Sequence, residues 1–224
     1  MEMISADVAR QRRAEVNIHH GTQEGALLTL ERIAGTTLVS AVDEREDAHH
    51  LRYYERMTDL QYPIGRFTFP DSTTPAQRQA WIHEIARTPR ELRNAIASLS
   101  FEQLDTAYRP GGWTARQVAH HVPDSHMNAF IRFKLALTED QPTIKPYDEA
   151  RWAVLADAAL AVEPSLDLLA ALHLRWVALL ESMGERDFQR TFVHPESGVW
   201  RLDQWLAQYA WHGRHHVAHI RSIR

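Results

Sequence analysis

The stretch Tyr209-Ala-Trp-His-Gly-Arg-His-His-Val-Ala-His-Ile220 places His212, His215, His216 and His219 within eight residues near the end of the chain. At about 100° per residue, a helix sets His212 and His216 roughly 40° apart on one face, the spacing at which two imidazoles can share a metal ion. His215 and His219 have the same spacing, so the helix face has to decide. Trp205, Tyr209, Ile220 and Ile223 mark an apolar stripe with His216 at its centre and His212 beside it, whereas His219 lies at the margin and His215 points away. An imidazole on a buried stripe must bind a metal or satisfy its ring nitrogens, because bare nitrogens in an apolar interior are costly. This helix therefore calls for partner helices around a polar centre.

The rest of the chain supplies such partners. A helix is predicted from Thr74-Pro75, with proline at the first helical position and Trp81, Ile82 and Ile85 facing inward. At Thr88-Pro-Arg-Glu91 a capping-box pattern predicts a kink or a second, consecutive helix through Leu92, Ala95, Ile96 and Leu99. A further capping box, Thr114-Ala-Arg-Gln117, opens a helix that runs to about Thr138 and contains Pro123. The next helix runs from a Ser165 cap through Leu168, Leu169, Leu172, Trp176, Leu179 and Leu180 to Gly184. Tyr108 to Trp113 reads as a loop, Asp148 to Leu160 as holding a short helix, and Phe188 to Leu202 as a small hairpin. The fold class is all-α: a four-helix bundle with a small hairpin before the last helix. Residues 1–57 keep no sustained period and are predicted to be a poorly structured N-terminal extension, with 58–224 forming the bundle. His19, His20, His49 and His50 form adjacent pairs that point to different faces and are expected to face solvent.

The absence of cysteine excludes disulfides, thiolate zinc sites and cysteine nucleophiles, so any metal is held by nitrogen and oxygen. Fourteen histidines are a heavy load for 224 residues and supply the nitrogen. With basic and acidic residues interspersed and a formal net charge of −4, there is no basic footprint for nucleic acid. No apolar run approaches the roughly 18 residues of a membrane span, and the N-terminus lacks a signal-peptide core, so a cytoplasmic location is expected.

On the helix opened by Thr114, Gln117, His121, Ser125, Asn128 and Arg132 line up as one polar stripe. His120 falls instead with Met127, Ile131 and Leu135. Periodicity leaves open which of the two adjacent histidines looks into the bundle.

Taken together, Tyr62-Pro-Ile-Gly, Gly111-Gly-Trp-Thr, His120-His121, Asp124-Ser-His-Met-Asn128, Arg132-Phe-Lys134, Leu137-Thr-Glu139, Lys145-Pro-Tyr-Asp-Glu149, His194-Pro and Trp211-His-Gly-Arg-His-His-Val-Ala-His-Ile220 form an ordered series. From about Leu60 to Ile220 this series resembles the YfiT branch of the DinB-like superfamily. The resemblance implies a four-helix bundle with one divalent metal per chain, held by one histidine on the second helix and an i, i+4 pair on the fourth. The helix-2 ligand follows a tryptophan by eight positions, which implies His121 after Trp113; the pair carries over to His212 and His216. Pro123 departs from the helix former expected just past His121. Members of this branch are described as metal-dependent hydrolases and homodimers, and wider relatives transfer thiols such as bacillithiol or mycothiol onto small electrophiles.

Three neutral imidazoles leave a divalent ion with open coordination positions, which suits catalysis better than a closed structural site. Zinc is the first candidate and nickel the second. The first reading is a metal-dependent hydrolase that activates water for attack on a small-molecule substrate. A thiol S-transferase using a low-molecular-weight thiol is the alternative, and a non-catalytic, metal-stabilised dimeric module a third. Gln117, Asp124, Ser125, Asn128 and Arg132 are candidate orienting residues. Asp124 is the only carboxylate among the i±3 and i±4 helical neighbours of His121, and its direction suits a partner to an imidazole N–H better than a fourth ligand.

Overall fold

The structure, a computed structural model, describes residues 60–223. The expected extension over residues 1–57, with its four histidines, lies outside the described residues. Long helices α1 (Pro75–Ala97), α3 (Ala115–Thr138), α5 (Glu163–Ser182) and α7 (Leu202–Arg221) carry the architecture. Short helices α2 (Phe101–Leu104), α4 (Glu149–Trp152) and α6 (Glu185–Phe188), with a 3₁₀ turn at Ala156–Ala159, punctuate the connections. β1 (Thr191–His194) and β2 (Gly198–Arg201) form the expected hairpin, paired antiparallel with Thr191 opposite Arg201 and His194 opposite Gly198. Gly198 closes its turn at φ +90°, where a side chain would be strained.

Local chemistry sets the helix starts. Thr74 caps α1 by accepting from Gln77 N at 3.2 Å while Gln77 Oε1 accepts from Thr74 N at 2.8 Å, and Thr114 and Gln117 repeat the exchange at α3. Two expected caps are not used as caps. α1 continues through Pro89 as one helix, and Thr88 Oγ1 donates back to Glu84 O at 2.9 Å. α5 begins two residues before Ser165, after Val162, and the Ser165 hydroxyl instead meets His120 Nδ1 at 2.7 Å. Leu168, in the predicted apolar run of this helix, is exposed.

α1 packs against α5 and α7, and α3 packs against the same two helices, so the four form a ring. Two apolar clusters fill it. One gathers Ile85, Phe133, Trp176, Phe192, Trp200, Trp205 and Leu206; the other gathers Leu92, Ile96, Val118, Leu166, Leu169 and Ile220. Along α1 and α7 the chain passes from the first cluster to the second, and along α3 and α5 from the second to the first. α1 and α7 thus run one way, α3 and α5 the other. At the level where the clusters meet, each long helix contributes polar side chains to the interior: Thr88, then His121, Ser125 and His126, then His173, then His212, His215 and His216. The site is this layer.

Candidate metal centre

Helix α7 is enclosed nearly all round, with sixteen of its twenty residues buried. All four of its histidines are therefore interior. His215, expected to point away, is buried: it stacks on Trp211 with ring centroids 4.2 Å apart and meets Tyr62 at 6.0 Å. His219, expected at the margin, is fully buried and stacks on Tyr108 at 3.9 Å. The lead-in around Tyr62 and the loop around Tyr108 cover faces that helical periodicity alone leaves open.

His121, His212 and His216 converge, with one ligating atom of each lying within 4.8 Å of the others. The Nε2 atom of His212 stands 3.4 Å from that of His121 and 3.2 Å from that of His216. Imidazoles on a tetrahedral zinc at about 2.0–2.1 Å have their nitrogens about 3.3 Å apart, so these separations fit a shared divalent ion. The donors suit it chemically as well. Burial pushes the His121 pKa down to about 3 and holds those of His212 and His216 well below the ordinary imidazole value, and neutral rings are the form that ligates. Among the described residues no carboxylate joins the group. Trp113 packs on His121 with centroids 4.5 Å apart, shielding that ring.

The stripe on α3 turns inward, with His121, Ser125 and Arg132 buried. His120 is interior too, between Ser165 Oγ at 2.7 Å and Leu160 O at 3.2 Å, away from the triad. The candidate orienting residues spread over several settings. Gln117 caps its own helix and donates to Ala153 O at 2.9 Å. Asp124 has its pKa raised to about 6, first by burial and then by the charge of Asp157, and it joins no ligand group. Asn128 donates to Asp124 O at 2.9 Å, and the Arg132 guanidinium lies over the Trp205 ring. Ser125 Oγ meets Tyr209 OH at 3.3 Å in the interior, and the Tyr209 ring lies 5.4 Å from that of His212.

Two residues that sequence reasoning passed over touch the triad's surroundings. His126 Nε2 lies 3.1 Å from His212 Nδ1, and His126 Nδ1 lies 2.9 Å from His173 Nε2. A signal was present: His126 shares a face with Val122, Ala129 and Phe133, and His173 adjoins Leu172 and Trp176. A histidine on an apolar face asks for a partner.

A helical bundle with three histidines converging in its interior defines the class, and the sequence matches agree with it. Residues 84–220 match the DinB superfamily, and the chain belongs to that superfamily. It is 56% identical over 168 residues to a protein named "Putative metal-dependent hydrolase" from Bacillus cereus (strain 03BB102), covering 75% of this chain and 97% of the relative. A protein of the same description from Bacillus thuringiensis subsp. konkukian (strain 97-27) matches to the same extent. Among solved structures, YfiT from Bacillus subtilis, described as a probable metal-dependent hydrolase with an unusual four-helix bundle topology, aligns with a TM-score of 0.72 and 46% identity. That alignment covers 74% of this chain and 95% of YfiT. Among the described residues no helix is long and apolar enough to cross a membrane.

Proposed function

We propose that this chain is a metal-dependent hydrolase in which His121, His212 and His216 hold one divalent ion, zinc before nickel. The observation that carries the reading is the convergence of three buried Nε2 atoms with no carboxylate beside them among the described residues. Three protein ligands are what catalytic centres keep, whereas a structural centre is usually closed by a fourth. A divalent ion held there supplies Lewis-acid chemistry, lowering the pKa of water toward about 7.

The protein's own groups prepare the site. Burial keeps the imidazoles unprotonated at neutral pH, so binding need not displace protons from them. The Trp113 ring excludes water from one side of His121. We assign the paired hydroxyls of Ser125 and Tyr209, the latter's ring 5.4 Å from that of His212, to orienting a polar atom of the substrate. The names of the relatives favour hydrolysis over thiol transfer.

The test is turnover of activated esters and amides by zinc- or nickel-loaded protein, before and after chelation and in the His216→Ala variant. Activity that disappears with chelator, returns with metal and is absent from the variant supports the proposal. Turnover only in the presence of a low-molecular-weight thiol, or turnover indifferent to chelation, would overturn it.

A further inference from the structure

Pro89 sits inside α1, and a proline has no N–H. The carbonyl four residues earlier, that of Ile85, consequently has no i+4 amide to accept from. His173 fills the gap, with its Nδ1 2.7 Å from Ile85 O. Beyond it the bonds continue ring to ring, from His173 Nε2 to His126 Nδ1 at 2.9 Å and from His126 Nε2 to His212 Nδ1 at 3.1 Å.

A carbonyl oxygen only accepts, so His173 carries its proton on Nδ1. A neutral imidazole has one N–H, which leaves His173 Nε2 a lone pair that accepts from His126 Nδ1. By the same step His126 Nε2 accepts from His212 Nδ1, and His212 Nε2 is left a lone pair facing His121 and His216. The reverse assignment fails at its far end, because it sets a nitrogen lone pair against Ile85 O at 2.7 Å. With His126, His173 and His212 each 2% exposed or less, a charged ring that could donate at both nitrogens is disfavoured.

A shorter arm serves the other ligand of α7. His219 Nε2 donates to Gln61 O at 3.0 Å, so its Nδ1 accepts from His216 Nδ1 at 3.4 Å. His216 and His212 then turn Nε2 lone pairs toward each other across 3.2 Å, a contact that no hydrogen bond relieves and a cation does.

We propose that the Ile85 carbonyl freed by Pro89, with His173 and His126, forms a relay that fixes His212 as the Nδ1–H tautomer and so keeps its Nε2 directed at the metal. His126 and His173 are positioning residues, and His219 does the same for His216. The proposal rests on the reading of the triad as a metal centre, but its tautomer assignment stands apart from metal and can be tested without it. Partners of this kind to ligating histidines typically change metal affinity 10- to 100-fold.

The first measurement is long-range ¹H–¹⁵N NMR of the histidine rings in metal-free, full-length protein. His173, His126 and His212 should each show an Nδ1–H; an Nε2–H on His212 or His173 would overturn the relay whatever the protein binds. The second is zinc affinity by chelator competition. His126→Leu, which keeps bulk and removes both nitrogens, should weaken binding at least 10-fold and release the His212 tautomer. His126→Gln, whose amide oxygen can accept from His212, should restore affinity to within about threefold. Pro89→Ala leaves every imidazole in place and returns an amide to Ile85 O, so it should weaken zinc binding while raising the stability of α1. Wild-type zinc affinity and an unchanged His212 tautomer in both His126→Leu and Pro89→Ala would refute the relay. A wild-type protein that binds neither zinc nor nickel, yet shows the three Nδ1–H rings, would refute the metal reading alone.

Discussion

Gly213 and Thr88 meet where α7 lies against α1: a Cβ on Gly213 would fall 2.7 Å from both Thr88 Cγ2 and Oγ1. Thr88 is buried and its hydroxyl is engaged by Glu84 O, so it has little room to yield. Thr88 directly precedes Pro89 in α1 and Gly213 directly follows His212 in α7, so the close approach adjoins a histidine of the polar layer.

Gly213→Ala should therefore push α7 off α1. Overpacking of this kind costs about 1–3 kcal/mol, against a gain of up to about 1 kcal/mol in helix propensity. A net loss of stability in denaturant unfolding, with zinc affinity reduced, is expected. Gly213→Ala combined with Thr88→Ala should recover both; if the single variant is already as stable and as tight as wild type, the close approach has no such role.

His121→Ala should abolish stoichiometric metal, and His120→Ala should not. His120 is satisfied by Ser165 and Leu160 and stands outside the converging group, so its loss costs packing and two hydrogen bonds. Metal content by elemental analysis after gel filtration separates the two variants, and the opposite pattern would reverse the assignment.

That assignment shows how much of the site was legible in the sequence. The helix start at Thr74-Pro75, the capping box at Thr114, the hairpin before the last helix and the inward pairing of His212 with His216 follow from proline placement, local periodicity and capping chemistry, and the structure shows them. Periodicity could not separate His120 from His121, because both faces of α3 are covered and each ring has an interior partner. It misplaced His215 and His219, whose covers, Tyr62 and Tyr108, are distant in sequence. His126 and His173 escaped for the same reason: the bonds that explain them span 47, 86 and 88 positions of the chain. Pro89 resembled part of a helix start because Thr-Pro-x-Glu is a capping pattern, whereas α1 continues through it as one helix.

Metal-free protein should unfold cooperatively as the pH falls below about 6. His121 has its pKa pushed to about 3 and His173 to about 4 by burial, and those of His126, His212 and His216 are held well below 6.5 for the same reason. The unfolded chain takes up protons near 6.5 while the folded one does not until much lower pH, so stability is lost as pH drops through that window. Each such group contributes up to about 1.4 kcal/mol per pH unit, and a few exhaust the roughly 5–15 kcal/mol of a typical domain. Asp124, raised to about 6, acts oppositely and loses stability as pH rises from about 4. Circular dichroism with parallel proton-uptake titration should show several protons bound in one transition; uptake of one proton or fewer would contradict the buried-neutral picture.

Removing the metal should leave the helices formed and lower the melting temperature. The polar layer lies between two apolar clusters that close around Trp176, Phe133 and Trp200 on one side and Leu92, Leu169 and Ile220 on the other, and none of these side chains depends on a bound ion. What the ion adds is linkage, together with relief of the facing lone pairs on His212 and His216. At free metal 100 times its dissociation constant, linkage contributes about 2.7 kcal/mol, which for a chain of this size raises the melting temperature by about 5–10 °C. Far-UV circular dichroism of chelated and reloaded protein should agree at 20 °C while the melting curves separate by that interval. Collapse of the helical signal on chelation would show that the clusters cannot hold the bundle around an empty histidine layer, and that the ion is part of the fold itself.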